Sequence, residues 1–374
     1  MQEQNFKSVV RTFETILEHD SITRGDIAEI IGCSVVTVCK AVELLLKNNL
    51  VTEEKEQFCG PGRKAKALRV CVHAHTILIL DITKRCFQAR LLYLDCKADQ
   101  DTFEYEPQEE ISFRGALHDF FEKCCQTFEQ ARPQNDSCIG IGVVVPGPYF
   151  EPEDRVVNKR FPELENLRLK KELEAIFGTR SIVIEEDVKL AGLYNIKRTY
   201  ALHSRCAFYA YIDEGVGGSI IRNGEIELGA HAFAGDFGQM RDMDGVTVEE
   251  KICVPRFLSC FGQRRASFQT WETIRVQLER GGSEPCKIYD ELVKNTVMAL
   301  NNICWLVDPD YIIIESPYCD YIPGFLVTVE ERLNMLLGNL RKGGGPKLIA
   351  AGSTEYSAHQ MAALLVEKKF LENL

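Results

Sequence analysis

Three sets of residues in this chain have the types and spacing to do chemistry. The first is acidic. Ser181-Ile182-Val183-Ile184 is a strand-like run that ends in Glu185-Glu186-Asp187, and the helical pattern VKLAGLYNIKR follows. Asp236 follows an Ala234-Gly235 turn, Gln239 lies three residues on, and Glu249 stands beyond a short polar loop. Carboxylates accept hydrogen bonds from hydroxyl groups. The plainer reading of Asp187 is an N-cap for the helix it precedes. The second set is Gly215-Val216-Gly217-Gly218, between the strand-like runs AFYAYI and SII. Glycines there let backbone amides approach phosphate, or make a tight hairpin with no ligand. The third set is Ser34, Val36, Thr37 and Lys40 at the start of one amphipathic pattern, with Arg63-Lys64 on the Gly60-Pro61-Gly62 turn downstream.

The elements around the third set define its use. Residues 5–19 place Phe6, Val9, Val10, Phe13, Ile16 and Leu17 at helical spacing. Thr23 caps a short helix, RGDIAEII; Gly32-Cys33 turns the chain; Ser34 caps VVTVCKAVELLLKN. In the last helix Val38, Ala41, Val42 and Leu45 share one face, while Val36, Lys40, Glu43 and Lys47 point the other way. Leu50-Val51-Thr52 and Ala67–Val70 then flank a polar tip. This predicts a winged helix-turn-helix whose second helix enters a DNA major groove by its N-terminal end, Arg63 reaching a narrow minor groove. The alternative is a three-helix bundle with a solvated basic loop.

Composition sets the frame. The chain has 374 residues, 45% hydrophobic and 26% charged, enough for two or three domains. Residues 1–70 hold ten Lys and Arg against ten Asp and Glu; the remainder holds 34 against 45 and carries all of the −11 net charge. An acidic body under a neutral head argues against general nucleic-acid coating and leaves room for a small basic surface on the head. Fifteen cysteines include the adjacent Cys124-Cys125 but no CxxC, so buried small apolar residues are expected rather than disulfides or a zinc ribbon. No apolar run approaches membrane-span length and MQEQNFKSVV lacks a signal-peptide pattern, which predicts a cytoplasmic protein with no membrane partner.

The body resembles the ROK family (repressors, open reading frames, sugar kinases). Ile139-Gly140-Ile141-Gly142 through Pro146-Gly147-Pro148 follows that family's Gly-Ile-Gly-x-x-x-Pro-Gly-Pro, and Gly215, Gly217, Asn223-Gly224, Gly229, Ala234-Gly235 and Gly238 follow its second phosphate hairpin and signature. Asp187 falls where the family's kinases have the aspartate that takes the sugar-hydroxyl proton, and Glu249 where a sugar-hydroxyl ligand stands. The departures fall on the nucleotide and metal parts. Asp81-Ile82-Thr83-Lys84-Arg85 replaces Asp-x-Gly-Gly-Thr, Asp213-Glu214 replace Gly-Thr, and Glu315-Ser316-Pro317 replace a glycine-rich adenosine turn. Glu186 and Lys189 replace two asparagines, Asp236 a glutamate and Gln239 a histidine, and RDMDGVTVEEKICV lacks the zinc-loop cysteines.

The resemblance implies an α/β fold: a winged helix-turn-helix over residues 1–70, then two RNase H-like lobes of the actin/hexokinase type over 71–198 and 199–374, the C-terminal helix packing back on the first. It implies a DNA-binding regulator of carbohydrate metabolism, a repressor, acting as a homodimer or dimer of dimers on a palindromic duplex operator through Ser34, Val36, Thr37, Lys40, Arg63 and Lys64. A sugar-like effector, a neutral or cationic polyol, would be held in an interlobe cleft by Glu186, Asp187, Asp236, Gln239 and Glu249. Neither catalysis, nor a cofactor, nor zinc is expected. Two alternatives stand beside this: an active sugar kinase, and a regulator whose body binds a protein partner or only dimerises.

Overall fold

The computed structural model describes residues 2–19, 21–55, 66–84, 86–96, 102–107, 111–130, 137–159, 161–178, 181–198, 204–338, 344–352 and 356–374. The head is built from α1 (Gln2–Leu17), α2 (Arg24–Ile31), α3 (Val35–Lys47), β1 (Val51–Lys55) and β2 (Lys66–Val70). Thr23 caps α2 in a reciprocal box: its hydroxyl accepts from the Asp26 amide, and the Asp26 carboxylate accepts from the Thr23 amide. Gly32 ends α2 in the left-handed region at φ 67°, where a side chain would be strained. Ser34 Oγ then accepts from the Thr37 amide at 3.1 Å and starts α3. Strands β1 and β2 pair antiparallel, Val51 opposite Val70, and Ile22 bridges to Leu68. Phe13, Ile16, Ile27, Val38, Val42, Leu45, Leu50 and Leu68 are buried together as the interior of this winged helix-turn-helix. The first wing strand runs three residues beyond its expected end at Thr52, to Lys55. The expected DNA-binding residues Arg63 and Lys64 lie outside the described residues.

The next elements are β3 (His75–Asp81), β4 (Phe87–Tyr93), β5 (Phe103–Tyr105), α4 (Phe113–Gln130), β6 (Ser137–Val145), the short pair β7 (Tyr149–Phe150) and β8 (Arg155–Val156), α5 (Leu169–Phe177) and β9 (Ser181–Glu186). Their sheet has the order β5-β4-β3-β6-β9, with β4 antiparallel to both of its neighbours and β6 parallel to both of its own. Phe87, Phe120 and Phe121 centre the core between this sheet and α4.

Helix α6 (Asp187–Arg198) leads to β10 (Cys206–Ile212), β11 (Val216–Arg222), β12 (Glu225–Ile226), α7 (Val248–Ile252), α8 (Val254–Cys260), α9 (Phe268–Glu279), α10 (Ser283–Leu306), β13 (Tyr311–Glu315), α11 (Pro317–Tyr321), α12 (Phe325–Leu337) and β14 (Lys347–Ala350); α13 (Ser357–Glu372) closes the chain. The second sheet is ordered β12-β11-β10-β13-β14, with β11 antiparallel and β13 parallel to their neighbours. Order and polarity repeat those of the first sheet, so both lobes are RNase H-like, although no repeat is visible in the sequence. Phe208, Phe257, Trp271 and Tyr318 lie in the second core.

The chain forms two compact units, Met1–Glu186 with His359–Leu374, and Asp187–Ala358. Helix α13 seats on β6 because that strand carries glycine. A Cβ on Gly140 would lie 2.5 Å from Val366 Cγ1 and 2.6 Å from the Ser181 carbonyl; one on Gly142 would lie 3.2 Å from Ala362 Cβ. Lys369 Nζ also donates to the Ile182 carbonyl at 3.0 Å. Among the described residues no helix is long and apolar enough to cross a membrane, and the cysteines are free thiols.

Candidate functional site

In open α/β sheets, ligands gather at the carboxyl ends of the parallel strands. Those ends carry Asp81 on β3, Glu186 on β9 and Glu315 on β13, with Asp213 one residue beyond β10. The β10–β11 turn is Asp213-Glu214-Gly215; Gly217 and Gly218 are strand residues, paired with Tyr211 and Ala210. This corrects the expected glycine turn at 215–218. The glycines admit neighbouring backbone instead. A Cβ on Gly218 would sit 2.6 Å from the Tyr209 carbonyl and 2.8 Å from that of Gly235, and one on Gly238 would sit 1.9 Å from the Val216 carbonyl. The loop from Gly229 to Gly238 therefore lies directly on β11.

Two side chains hold this arrangement. Glu249, at the start of α7, accepts from the Val216 amide at 3.0 Å, so one of its oxygens braces the hairpin. Lys189 of α6 is 1% exposed, and its Nζ donates at 2.8 Å to the carbonyl of Ala232, a residue at φ 63°. The ammonium supports the loop from beneath, a role its place among the sequence departures did not suggest.

The remaining expected effector residues are placed as follows. Asp187 is the first residue of α6, half-buried, its carboxylate accepting from the Val188 amide at 2.8 Å. The Glu186 amide donates to the Glu185 carboxylate at 2.9 Å. Asp236, half-buried, precedes the single helical turn Phe237–Gln239, and Gln239 is exposed. Tyr211, which sequence reasoning passed over, lies within reach of the charges. Burial first, then the charges of Asp213, Asp187, Glu315 and Glu214, push its phenol well above the usual range. Burial and Glu214 likewise push the Asp213 carboxyl up, against a hydrogen bond from Tyr211. Tyr209 donates to Glu315 at 2.5 Å. This end of the second sheet is thus a field of negative charge.

The turn after β3 is closed by side chains. Asp81 Oδ1 accepts from the Thr83 amide at 2.9 Å and from its hydroxyl at 2.6 Å, and Oδ2 meets His359 Nε2 at 2.7 Å. Burial acts upward on this carboxyl, but the His359 bond and charge together with Thr83 outweigh it and hold it below the usual range. Where a metal loop would stand, Asp242 closes a turn. Its carboxylate accepts from the Asp244 amide at 3.0 Å and the Val246 amide at 2.9 Å, and pairs with Lys251. Among the described residues no group of three or more His, Cys, Asp or Glu is placed to hold a metal ion.

In the head, the Ser34 and Thr37 hydroxyls lie 2.8 Å apart within the cap, Val36 is 66% exposed and Lys40 is exposed. Glu53 of β1 joins the wing to α2 through Arg24 at 2.5 Å and pairs with Lys66 of β2; bonds from Lys66 and then Arg24 hold its carboxyl below the usual range.

A winged helix-turn-helix followed by two RNase H-like lobes defines the class of fold. The ROK family's sequence pattern matches residues 101–369, and the chain belongs to the ROK family. It is similar to the xylose repressor of Staphylococcus xylosus, at 19% identity over 87% of this chain and 86% of that one. It is also similar to a putative xylose repressor of a Caldicellulosiruptor species, at 23% identity over 91% and 81%. Among solved structures, a ROK family transcriptional regulator homologous to the E. coli MLC protein aligns over 100% of this chain and 98% of its own, with TM-score 0.77 and 16% identity. The ROK hexokinase of Thermus thermophilus aligns over 79% and 99%, with TM-score 0.63 and 16% identity.

Proposed function

We propose that this protein is a DNA-binding transcriptional repressor of carbohydrate metabolism, working in the cytoplasm as a dimer on a palindromic operator. Its body would sense a sugar-like effector without phosphorylating it. One observation carries the reading: the winged helix-turn-helix and the ROK body are one chain, and proteins named xylose repressors match it across both parts. Ser34, Val36, Thr37 and Lys40, with Arg63 and Lys64, contact the duplex. The effector is a neutral or cationic polyol whose hydroxyls donate to Asp187, Asp236 and Glu249, with Glu186 and Gln239 beside them. Glu249 has one oxygen on the Val216 amide and brings the other.

Two features favour sensing over catalysis. The Thr83 amide, at a turn where a nucleotide phosphate would need open N–H groups, already donates to Asp81. Asp213, Glu214 and Glu315 crowd the other phosphate side, and carboxylates oppose a triphosphate by Coulomb repulsion. The test is binding of the full-length protein to DNA from its own promoter region, at several salt concentrations, with and without a library of sugars and amino sugars. A complex that weakens steeply with salt and is released by one sugar is expected, because phosphate contacts release counterions. No specific complex at low salt overturns the assignment. A ligand that binds Asp187→Ala and Asp236→Ala as tightly as the wild type places the effector elsewhere.

A further inference from the structure

We propose that α3 reads thymine 5-methyl groups through Val36, with Val35 beside it; this rests on the DNA-binding assignment and specifies what the head recognises. Both valines stand in the first turn of α3 and both face solvent, Val35 at 51% and Val36 at 66% exposure. The interior of the head is completed without them, by Val38, Ala41, Val42 and Leu45 on the opposite face. β-branched residues are below average as helix formers, so two exposed valines at a helix start serve neither the local conformation nor the core.

The chemistry of the outward face narrows the ligand. From the N-terminus it presents Val36, Lys40, Glu43 and Lys47, spaced four, three and four residues apart. The first two turns of α3 contain no Arg, Asn or Gln, the side chains that read guanine and adenine by paired hydrogen bonds. The two hydroxyls at the helix start are partly occupied with each other: Ser34 Oγ accepts from the Thr37 amide at 3.1 Å and lies 2.8 Å from Thr37 Oγ1. The recognition helix of this motif meets base edges by its N-terminal residues. There the valines offer only methyl groups, and among the four bases only thymine presents a methyl in the major groove. Lys40, one turn on, supplies a donor for a purine acceptor or a phosphate. A half-site built around thymine, read by shape and methyl contact, follows.

The experiment uses the full-length protein and an operator selected from random duplexes. Each thymine of one half-site is replaced singly by deoxyuridine, which removes the 5-methyl and leaves base pairing intact, and affinity is measured by fluorescence anisotropy. Wild type should lose about fourfold in affinity for each methyl contacted, at one or two positions per half-site. In Val36→Ala that loss should vanish at the position Val36 contacts, while the salt dependence stays unchanged because phosphate contacts are untouched. Val36→Thr, which retains one methyl, should keep part of the loss. Thermal melting checks that each variant is folded, and the exposed site predicts wild-type melting. Specific binding with no response to deoxyuridine at any position overturns the proposal and leaves the DNA-binding assignment standing. So does a response that is identical in wild type, Val35→Ala and Val36→Ala. Failure to select any sequence overturns the DNA-binding assignment and this proposal together.

Discussion

Two carboxyls of opposite character test the electrostatics residue by residue. Asp81 is held below its ordinary range by His359 and Thr83 in spite of burial. A depressed carboxyl contributes stability above its unfolded pKa of ~3.9 and loses it as pH falls through the folded value. Asp81→Asn should therefore cost about 3 kcal/mol at pH 7, as for a broken buried pair, with the gap to wild type closing in acid. Urea unfolding at pH 7 and at pH 3 measures both. Asp213 has the reverse sign. Burial and Glu214 raise its pKa, so its ionised form burdens the folded state at neutral pH and is relieved as pH falls. Asp213→Asn is expected to raise the melting temperature at pH 7 and to have no effect in acid; a lower melting temperature at pH 7 would refute this account of the acidic field. Lys189→Met keeps an apolar stem but leaves the Ala232 carbonyl without its donor. A loss of about 1–3 kcal/mol is expected, with faster hydrogen exchange over residues 229–238.

Among the elements, the hairpin β10–β11 depends on close approach of backbone. Gly238→Ala would force a methyl to 1.9 Å from the Val216 carbonyl and Gly218→Ala to 2.6 Å from the Tyr209 carbonyl, so neither contact is relieved by turning a side chain. Each should destabilise by about 1–3 kcal/mol, Gly238→Ala the more, in thermal unfolding. The neighbouring turn behaves differently. Asn223 at φ 53° and Gly224 at φ 78° form the two left-handed residues that a two-residue hairpin loop requires, and the dipeptide announces this in sequence. The glycine run was not legible in the same way. Glycine serves both turns and close packing, and the atoms that decide between them come from a loop some seventeen residues downstream of Gly218. In the head, Ser34→Ala removes the cap of α3 and should cost about 1 kcal/mol. Operator binding should weaken with it, since that cap orders the turn that carries Val36.

For the whole molecule, the question is whether a body with a sugar-kinase fold still turns over. We expect no ADP release with any hexose, since the Thr83 amide already donates to Asp81 and the strand ends of the second sheet carry Asp213 and Glu315. Hexose-dependent ADP release abolished by Asp187→Asn would show an active kinase instead. A sugar that binds should raise the melting temperature by mass action. If it also loosens operator binding, linkage requires the operator to weaken sugar binding by the same factor, which calorimetry on the complex reads directly.

Much of this architecture is local and therefore legible in the chain. Thr23, Gly32 and Ser34 delimit two helices, the buried face of α3 follows its 3.6-residue period, and Asn223-Gly224 marks a hairpin. The likeness of the two lobes lies in strand order, which is set by pairing between distant segments, so nothing in the sequence repeats and the family resemblance alone implied it. The fate of the polar side chains was not local. The carboxylate of Asp81 meets a histidine 278 residues away. The Lys189 ammonium meets a carbonyl 43 residues on, and Glu249 meets an amide 33 residues back. Periodicity carries information over a few turns of chain, whereas a buried charge takes whatever donor or acceptor the packed sheet brings within 3 Å of it. The sequence could show that these residues carry charge; the tertiary structure alone decided which donor or acceptor each of them meets.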